Sequence, residues 1–243
     1  LFPKPTLGLA VDAGAVTGAF GGGDRHKKRI GVSKVSESIA GVLLAGGQAR
    51  RMGGGDKCLM PLAGRPLLQH AIERAQPQVS ALLLNANGDP ARFRGFGLPV
   101  VADVAYGGAV ENFAGPLAGI LTGLEWFAEN LADTVWMASF ATDAPLIPDD
   151  LVSRLAAAVE AESADMACAK SAGRAHPVFA LWPLRLGDAL RRAVVEEGLR
   201  KIDAWTARYR LVQVDFACHP RDPFFNINNP ESLAEAERLL GQE

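Results

Sequence analysis

The sequence predicts an α/β fold in three layers, a mostly parallel sheet with helices on both faces. Three observations carry this. Short continuous apolar runs, of the kind that form strands buried on both faces, alternate with segments whose apolar residues recur at helical spacing. Several runs stop at Gly, Asn or Asp, residues that turn a chain out of a strand. No linker or internal repeat breaks the alternation, so one domain is expected, with ligands at the carboxyl ends of the strands.

The first strand is the run Ser38 to Ala45, which ends at Gly46-Gly47. Pro66 to Ile72 repeats its apolar positions at helical spacing, with Pro66 suited to a first turn. Ala81 to Asn85 and Leu98 to Val101 read as strands, the second followed by Asp103. Gly115-Pro116-Leu117-Ala118-Gly119 opens a helix over Ile120 to Glu129. Val135 to Phe140 is a strand that runs into Thr142-Asp143-Ala144-Pro145, and Pro148 starts an amphipathic helix reaching Glu162. Strands follow at Asp165 to Ala169 and Val178 to Trp182, a helix at Leu186 to Glu197, and a strand at Leu211 to Phe216. Asn229 caps the last helix, Glu231 to Leu240, with Pro230 in its first turn.

The 243 residues suffice for one large domain, and nearly half are apolar. Residues 1–37 contain GAVTGAFGGG followed by a basic cluster, Arg25 to Arg29, and no apolar strand feeds that glycine run. They are read as a disordered extension or a segment of upstream-start or cloning origin, and residues 38–243 as a single domain. A formal net charge of −2 offers no broad cationic field, which argues against nucleic acid and anionic membranes as partners. No apolar run approaches the roughly 18 residues needed to span a bilayer. Cys58, Cys168 and Cys218 are far apart and form no CxxC pair, which fits a reducing cytoplasm and argues against a disulfide framework or structural zinc.

The chemistry concentrates in Leu43 to Lys57, LLAGGQARRMGGGDK. A buried strand delivers the chain into a glycine-rich loop, where backbone N–H groups can approach a ligand closely. Arg50, Arg51 and Lys57 follow within reach of phosphates, so the segment reads as a triphosphate cradle. It is not a Walker A loop, because Asp56 precedes Lys57 and Cys58 follows it. It is not a dinucleotide fingerprint either, since the GxGxxG spacing is missing. Asp143 follows a strand, where it could hold a hard cation or simply form a turn or cap before Pro145. Asn85 and Asp103 also end apolar runs, where turn formation is one reading. His176 has no carboxylate or nucleophile beside it in sequence and is read as structural, and the four tryptophans as core.

The loop resembles the LAGGxxxRMGxxDK signature of nucleotidyltransferases with a glycosyltransferase-A-like fold. The chain is most similar to the molybdenum cofactor guanylyltransferases. Further motifs carry the likeness in the same order: Leu84 to Asn87, Val101 to Asp103, Gly115 to Gly119, Thr142 to Pro145, His176 to Trp182 and Phe225 to Pro230. The resemblance implies transfer of GMP from GTP to the terminal phosphate of molybdopterin, with release of pyrophosphate. It implies a GTP site at Leu44, Ala45, Gly46, Lys57, Asn85, Asp103 and Asp143, with Asp103 at the base or the ribose. It implies pterin contacts at Gly54, Asn226 and Asn228, catalysis by Arg51, Lys57 and Asp143, and Mg²⁺ on Asp143. Hand-over with other cofactor-biosynthesis proteins or recipient molybdoenzymes would fit an unstable pterin. Ala45-Gly46 favours guanine, since related cytidylyltransferases tend to read LAAG. A relative using CTP or a sugar phosphate, and a non-catalytic nucleotide-binding regulator, are the alternatives. The chain departs from the family at Thr142, where relatives often have Cys, and in the length of Ala105 to Asn112.

Overall fold

The computed structural model of the chain describes residues 39–46, 56–103, 115–219 and 221–240. Strand β1, Ile39–Leu44, sits in the interior of the sheet, and its side chains are apolar on both faces. Around it are β4 (Leu82–Asn85), β5 (Val100–Val101), β6 (Trp136–Ala141), β7 (Met166–Ser171), β8 (Arg174–Pro183) and β9 (Leu211–Phe216). A separate hairpin pairs β2 (Pro61–Leu62) with β3 (Arg65–Pro66). The large sheet has seven strands in the order β5-β4-β1-β6-β8-β7-β9. Every pairing in it is parallel except those of β8, which runs antiparallel to both β6 and β7. The carboxyl ends of β1, β4, β5, β6 and β7, and the amino end of β8, therefore share one edge.

Side-chain parity splits the core into two layers. Ile39 and Leu43 of β1 face one side, with Phe140, Ala167 and Ala169, and are covered by α1 (Leu67–Ala75) and α3 (Leu151–Glu162). Ala40 and Val42 face the other, with Met137, Met166 and Cys168. That side is covered by α2 (Pro116–Asn130), α4 (Gly187–Val195) and α5 (Ile202–Thr206). The expected three layers are thus present. Trp182 and Trp205 are buried, and Trp126 and Trp136 pack against the core, as expected of structural tryptophans. A third, smaller cluster of Leu62, Leu67, Ile227 and Ala236 joins the hairpin to α6 (Pro230–Leu240).

Several details differ from the sequence reading. Helix α2 starts at Pro116 rather than Ile120, and α3 at Leu151 rather than Pro148. Pro66 ends β3 in extended geometry and precedes α1 instead of joining its first turn. The two hairpins, β2–β3 and β7–β8, turn on Ala63-Gly64 and Ala172-Gly173. In each turn both residues have positive φ, as tight two-residue hairpins require. Alanine is a poor marker for that geometry, so neither hairpin shows in the sequence. Asn229 does cap α6: its Oδ1 accepts from Ser232 N at 2.8 Å, while Ser232 Oγ accepts from Asn229 N at 3.0 Å.

Candidate active site

At the shared edge, Lys57 lies in a short 3₁₀ turn, Lys57–Leu59, and is almost buried. Its ammonium donates to Asp143 Oδ2 at 2.6 Å and to Asn228 Oδ1 at 2.6 Å. Asp143 stands in the turn directly after β6 and caps no helix, since α3 begins only at Leu151. Its backbone oxygen accepts from Ile227 N at 2.8 Å, which draws the Phe225 to Asn228 segment onto the end of β6. Three chain regions more than 80 residues apart in sequence thus converge on one cation. Below it, burial and the neighbouring Asp56 push the Cys58 thiol up to about 12, so it is an inert packing group.

A second constellation surrounds Asp103. One carboxylate oxygen accepts from Asn85 Nδ2 at 2.9 Å and the other from Asn87 Nδ2 at 2.8 Å. The Asp103 amide donates back to Asn87 Oδ1 at 2.8 Å. Among the described residues each oxygen keeps a lone pair beyond these bonds, so the carboxylate is held in place with capacity to accept paired N–H donors from a ligand. Asn85 is 4% exposed, and its Oδ1 lies against Gly119 so closely that a Cβ there would stand 2.3 Å away. Ala45 N donates to Asn85 O at 2.9 Å, and Thr142 Oγ1 to Leu44 O at 3.2 Å, which locks the end of β1 between β4 and β6.

Arg92 links the two constellations. Its guanidinium pairs with Asp56, the residue before Lys57, and donates to the backbone oxygens of Asn87 and Asp89. Gly88, at φ 86°, leaves room for it, and the cation sits 4.5 Å from the Phe93 ring. At the end of β7, Ser171 Oγ donates to Asp222 Oδ1 at 2.9 Å and lies 2.6 Å from His176 Nε2. Burial pushes the His176 pKa down, against the pull of Asp222.

The model of the MobA-like NTP transferase domain matches residues 41–212. The chain belongs to that family. A molybdenum cofactor guanylyltransferase of Bradyrhizobium sp. is 54% identical over 211 residues, 87% of this chain and 97% of the relative. Molybdopterin-guanine dinucleotide biosynthesis protein A of Archaeoglobus fulgidus shares the fold, with a TM-score of 0.64 at 22% identity over 84% of this chain and 100% of that one. A Mycobacterium tuberculosis protein solved in complex with manganese shares it too, with a TM-score of 0.58 at 15% identity over 83% of this chain and 98% of that one.

Of the residues that the resemblance to this nucleotidyltransferase family implies, the structure brings Lys57, Asp143 and Asn228 into contact, and Asn85 and Asp103 into another. Leu44 ends β1 between β4 and β6, Ala45 follows it, and a Cβ at Gly46 would meet open space. Asn226 is exposed at the same edge. Arg51 and Gly54 lie outside the described residues. Among the described residues no group of three or more His, Cys, Asp or Glu side chains gathers, and Lys57 engages Oδ2 of the Asp143 carboxylate. That arrangement suits a small hard cation that keeps waters and substrate oxygens in its shell. Sequence reasoning assigned no role to Asn87, Gly119, Arg92, or the Ser171–Asp222 pair. Asn87 and Gly119 lie inside matched motifs, which was a usable signal, whereas Arg92 and Asp222 lie in no motif. No helix among the described residues is long and apolar enough to cross a membrane.

Proposed function

We propose that this chain transfers GMP from GTP to the terminal phosphate of molybdopterin, releasing pyrophosphate and forming molybdopterin guanine dinucleotide. The observation that carries this reading is the junction of Lys57 with Asp143 and Asn228 on one cation; the reading assigns Asp143 to the nucleotide and Asn228 to the acceptor. The 54% identity to a guanylyltransferase over nearly its whole length supports the same substrates.

An oxygen of the acceptor phosphate attacks the α-phosphorus of GTP, and the bond to the β-phosphate oxygen breaks. A phosphate monoester is already a nucleophile at neutral pH, so the protein needs only to position the reactants and stabilise charge. Lys57 and Arg51 offset charge on the phosphates. Asp103, clamped by Asn85 and Asn87, receives the base or ribose donors. The reading assigns Leu44, Ala45 and Gly46 to the nucleotide and Gly54, Asn226 and Asn228 to the pterin. Asp143 would hold Mg²⁺, which supplies charge stabilisation on phosphate oxygens. Residues 38–243 act as one domain, with residues 1–37 outside it. The free thiols favour a cytoplasmic setting, where other cofactor-biosynthesis proteins or recipient molybdoenzymes would exchange the pterin.

The test is calorimetric binding of GTP, CTP and ATP with Mg²⁺, then mass spectrometry after addition of molybdopterin. Selective GTP binding and a guanylated pterin are expected. GTP binding without that product would remove the acceptor assignment, and no nucleotide binding would remove the whole reading.

A further inference from the structure

Ser171, His176 and Asp222 form a polar cluster at the active edge that the reaction above does not use. Ser171 is 1% exposed at the end of β7, and its hydroxyl has one proton for two partners. A carboxylate oxygen only accepts, so that proton goes to Asp222. The Ser171 oxygen must then accept from His176, which places the ring hydrogen on Nε2. Among the described residues no hydrogen bond reaches His176 Nδ1, which is left as a bare lone pair in the neutral ring. Asp222 Oδ1 also accepts from Phe224 N at 3.0 Å, so the relay ends on the backbone of the segment bearing Asn226 and Asn228.

That segment is anchored twice. Phe224 is 2% exposed, and its ring centroid lies 4.8 Å from His176, 4.9 Å from Phe179 and 5.3 Å from Phe216. Ile227 is fully buried and bonded to the Asp143 backbone. Asn226 is thus displayed between two buried anchors, and the first is set by the relay.

We propose that His176 is a positioning residue for the acceptor: through Ser171 and Asp222 it fixes where Asn226 and Asn228 stand against the pterin. This rests on the reading of those asparagines as pterin contacts. His176 itself touches no reacting atom in this account.

The test uses the full chain with GTP and molybdopterin. His176→Phe keeps a stacking ring but loses the donor, and Ser171→Ala removes the relay's centre. Each raises the KM for the acceptor by about tenfold, the worth of one well-placed hydrogen bond, and leaves the KM for GTP within about twofold. His176→Gln, which retains an N–H directed at Ser171, restores the acceptor KM. In ¹⁵N spectra His176 shows the Nε2–H tautomer at neutral pH. Asn226→Ala tests the underlying reading separately. If Asn226→Ala raises the acceptor KM while His176→Phe and Ser171→Ala do not, the relay is overturned and the pterin contact stands. If Asn226→Ala leaves the acceptor KM unchanged, the pterin reading fails and the proposal falls with it. Equal rises in both KM values, or an Nδ1–H tautomer, would also overturn it.

Discussion

Replacing Gly119 with alanine should injure nucleotide binding more than folding. The new Cβ would lie 2.3 Å from Asn85 Oδ1 and 2.8 Å from Leu44 Cδ2, and ordinary contact begins at 3.4 Å. Asn85 must therefore retreat by about 1 Å, a distance that in a preorganised site can cost up to ~10²-fold in rate. It has no free space, being 4% exposed, and its amide is tied to Asp103 and to Val101 O. Retreat breaks the clamp on Asp103. Overpacking costs about 1–3 kcal/mol. The better helix propensity of alanine returns about 1 kcal/mol, so the net loss of stability is about 0–2 kcal/mol and the fold survives. The expected result is a fall of roughly 10–100-fold in kcat/KM for GTP, with folded protein by circular dichroism. Gly123→Ala, one turn later, is the control. Its Cβ would meet Met137 Sδ at 2.7 Å and Val42 at 3.3 Å, so it should cost stability and spare GTP binding. If Gly119→Ala binds GTP within about twofold of wild type, the claim that Asn85 and Asp103 form a rigid recognition unit is wrong.

Lys57→Ala and Asp143→Ala should each lower turnover by roughly 10²-fold or more, as loss of a preorganised charge does; near-normal rates in both folded variants would exclude the proposed centre. Arg92→Ala should raise the KM for GTP by about tenfold, and Arg92→Lys should recover it only in part. One ammonium cannot replace the planar fork that joins Asp56, Asn87 and Asp89, so full recovery in the lysine variant would show that charge alone matters. Ser139→Ala strands the buried Trp182 indole N–H, which now donates to Ser139 Oγ at 2.8 Å; the loss is about 2 kcal/mol. At this chain length that lowers Tm by roughly 4–8 °C, and an unchanged melting curve would count against the bond. Burial holds the His176 pKa below its ordinary value of 6.5, so the unfolded chain binds the proton more readily. The stability that this neutral ring contributes is complete above that value and declines as pH falls below it. Denaturant titrations at falling pH should show a steeper loss in wild type than in His176→Gln, and parallel curves would refute it.

The alternation of strand and helix was legible because both faces of the sheet are buried, which leaves unbroken apolar runs such as Val42 to Ala45. The residues that converge at the sheet edge were legible for a related reason: Lys57, Asn85, Asp103 and Asp143 lie at strand ends or just after a glycine-rich segment, and each has a local signature. The hairpins were hidden because Ala63 and Ala172 take a backbone geometry usually marked by Asn or Gly. The Ser171–His176–Asp222 cluster was hidden for another reason. Ser171 and His176 meet across a hairpin that the sequence does not mark, and Asp222 joins them from 51 residues beyond Ser171. Arg92 shows the same limit, since its meaning depends on Asp56 being brought to it by the fold.

Lys57 has a consequence for how the two substrates influence each other. Under the proposed function, the single cation shared by Asp143 and Asn228 would make the donor and acceptor halves thermodynamically dependent. A triphosphate that draws the ammonium towards itself releases the carbonyl of Asn228, which then becomes available to the second substrate. Linkage is reciprocal, so the second substrate must strengthen nucleotide affinity by the same factor. Heterotropic cooperativity can thus arise from one side chain changing partners, with no movement of the sheet.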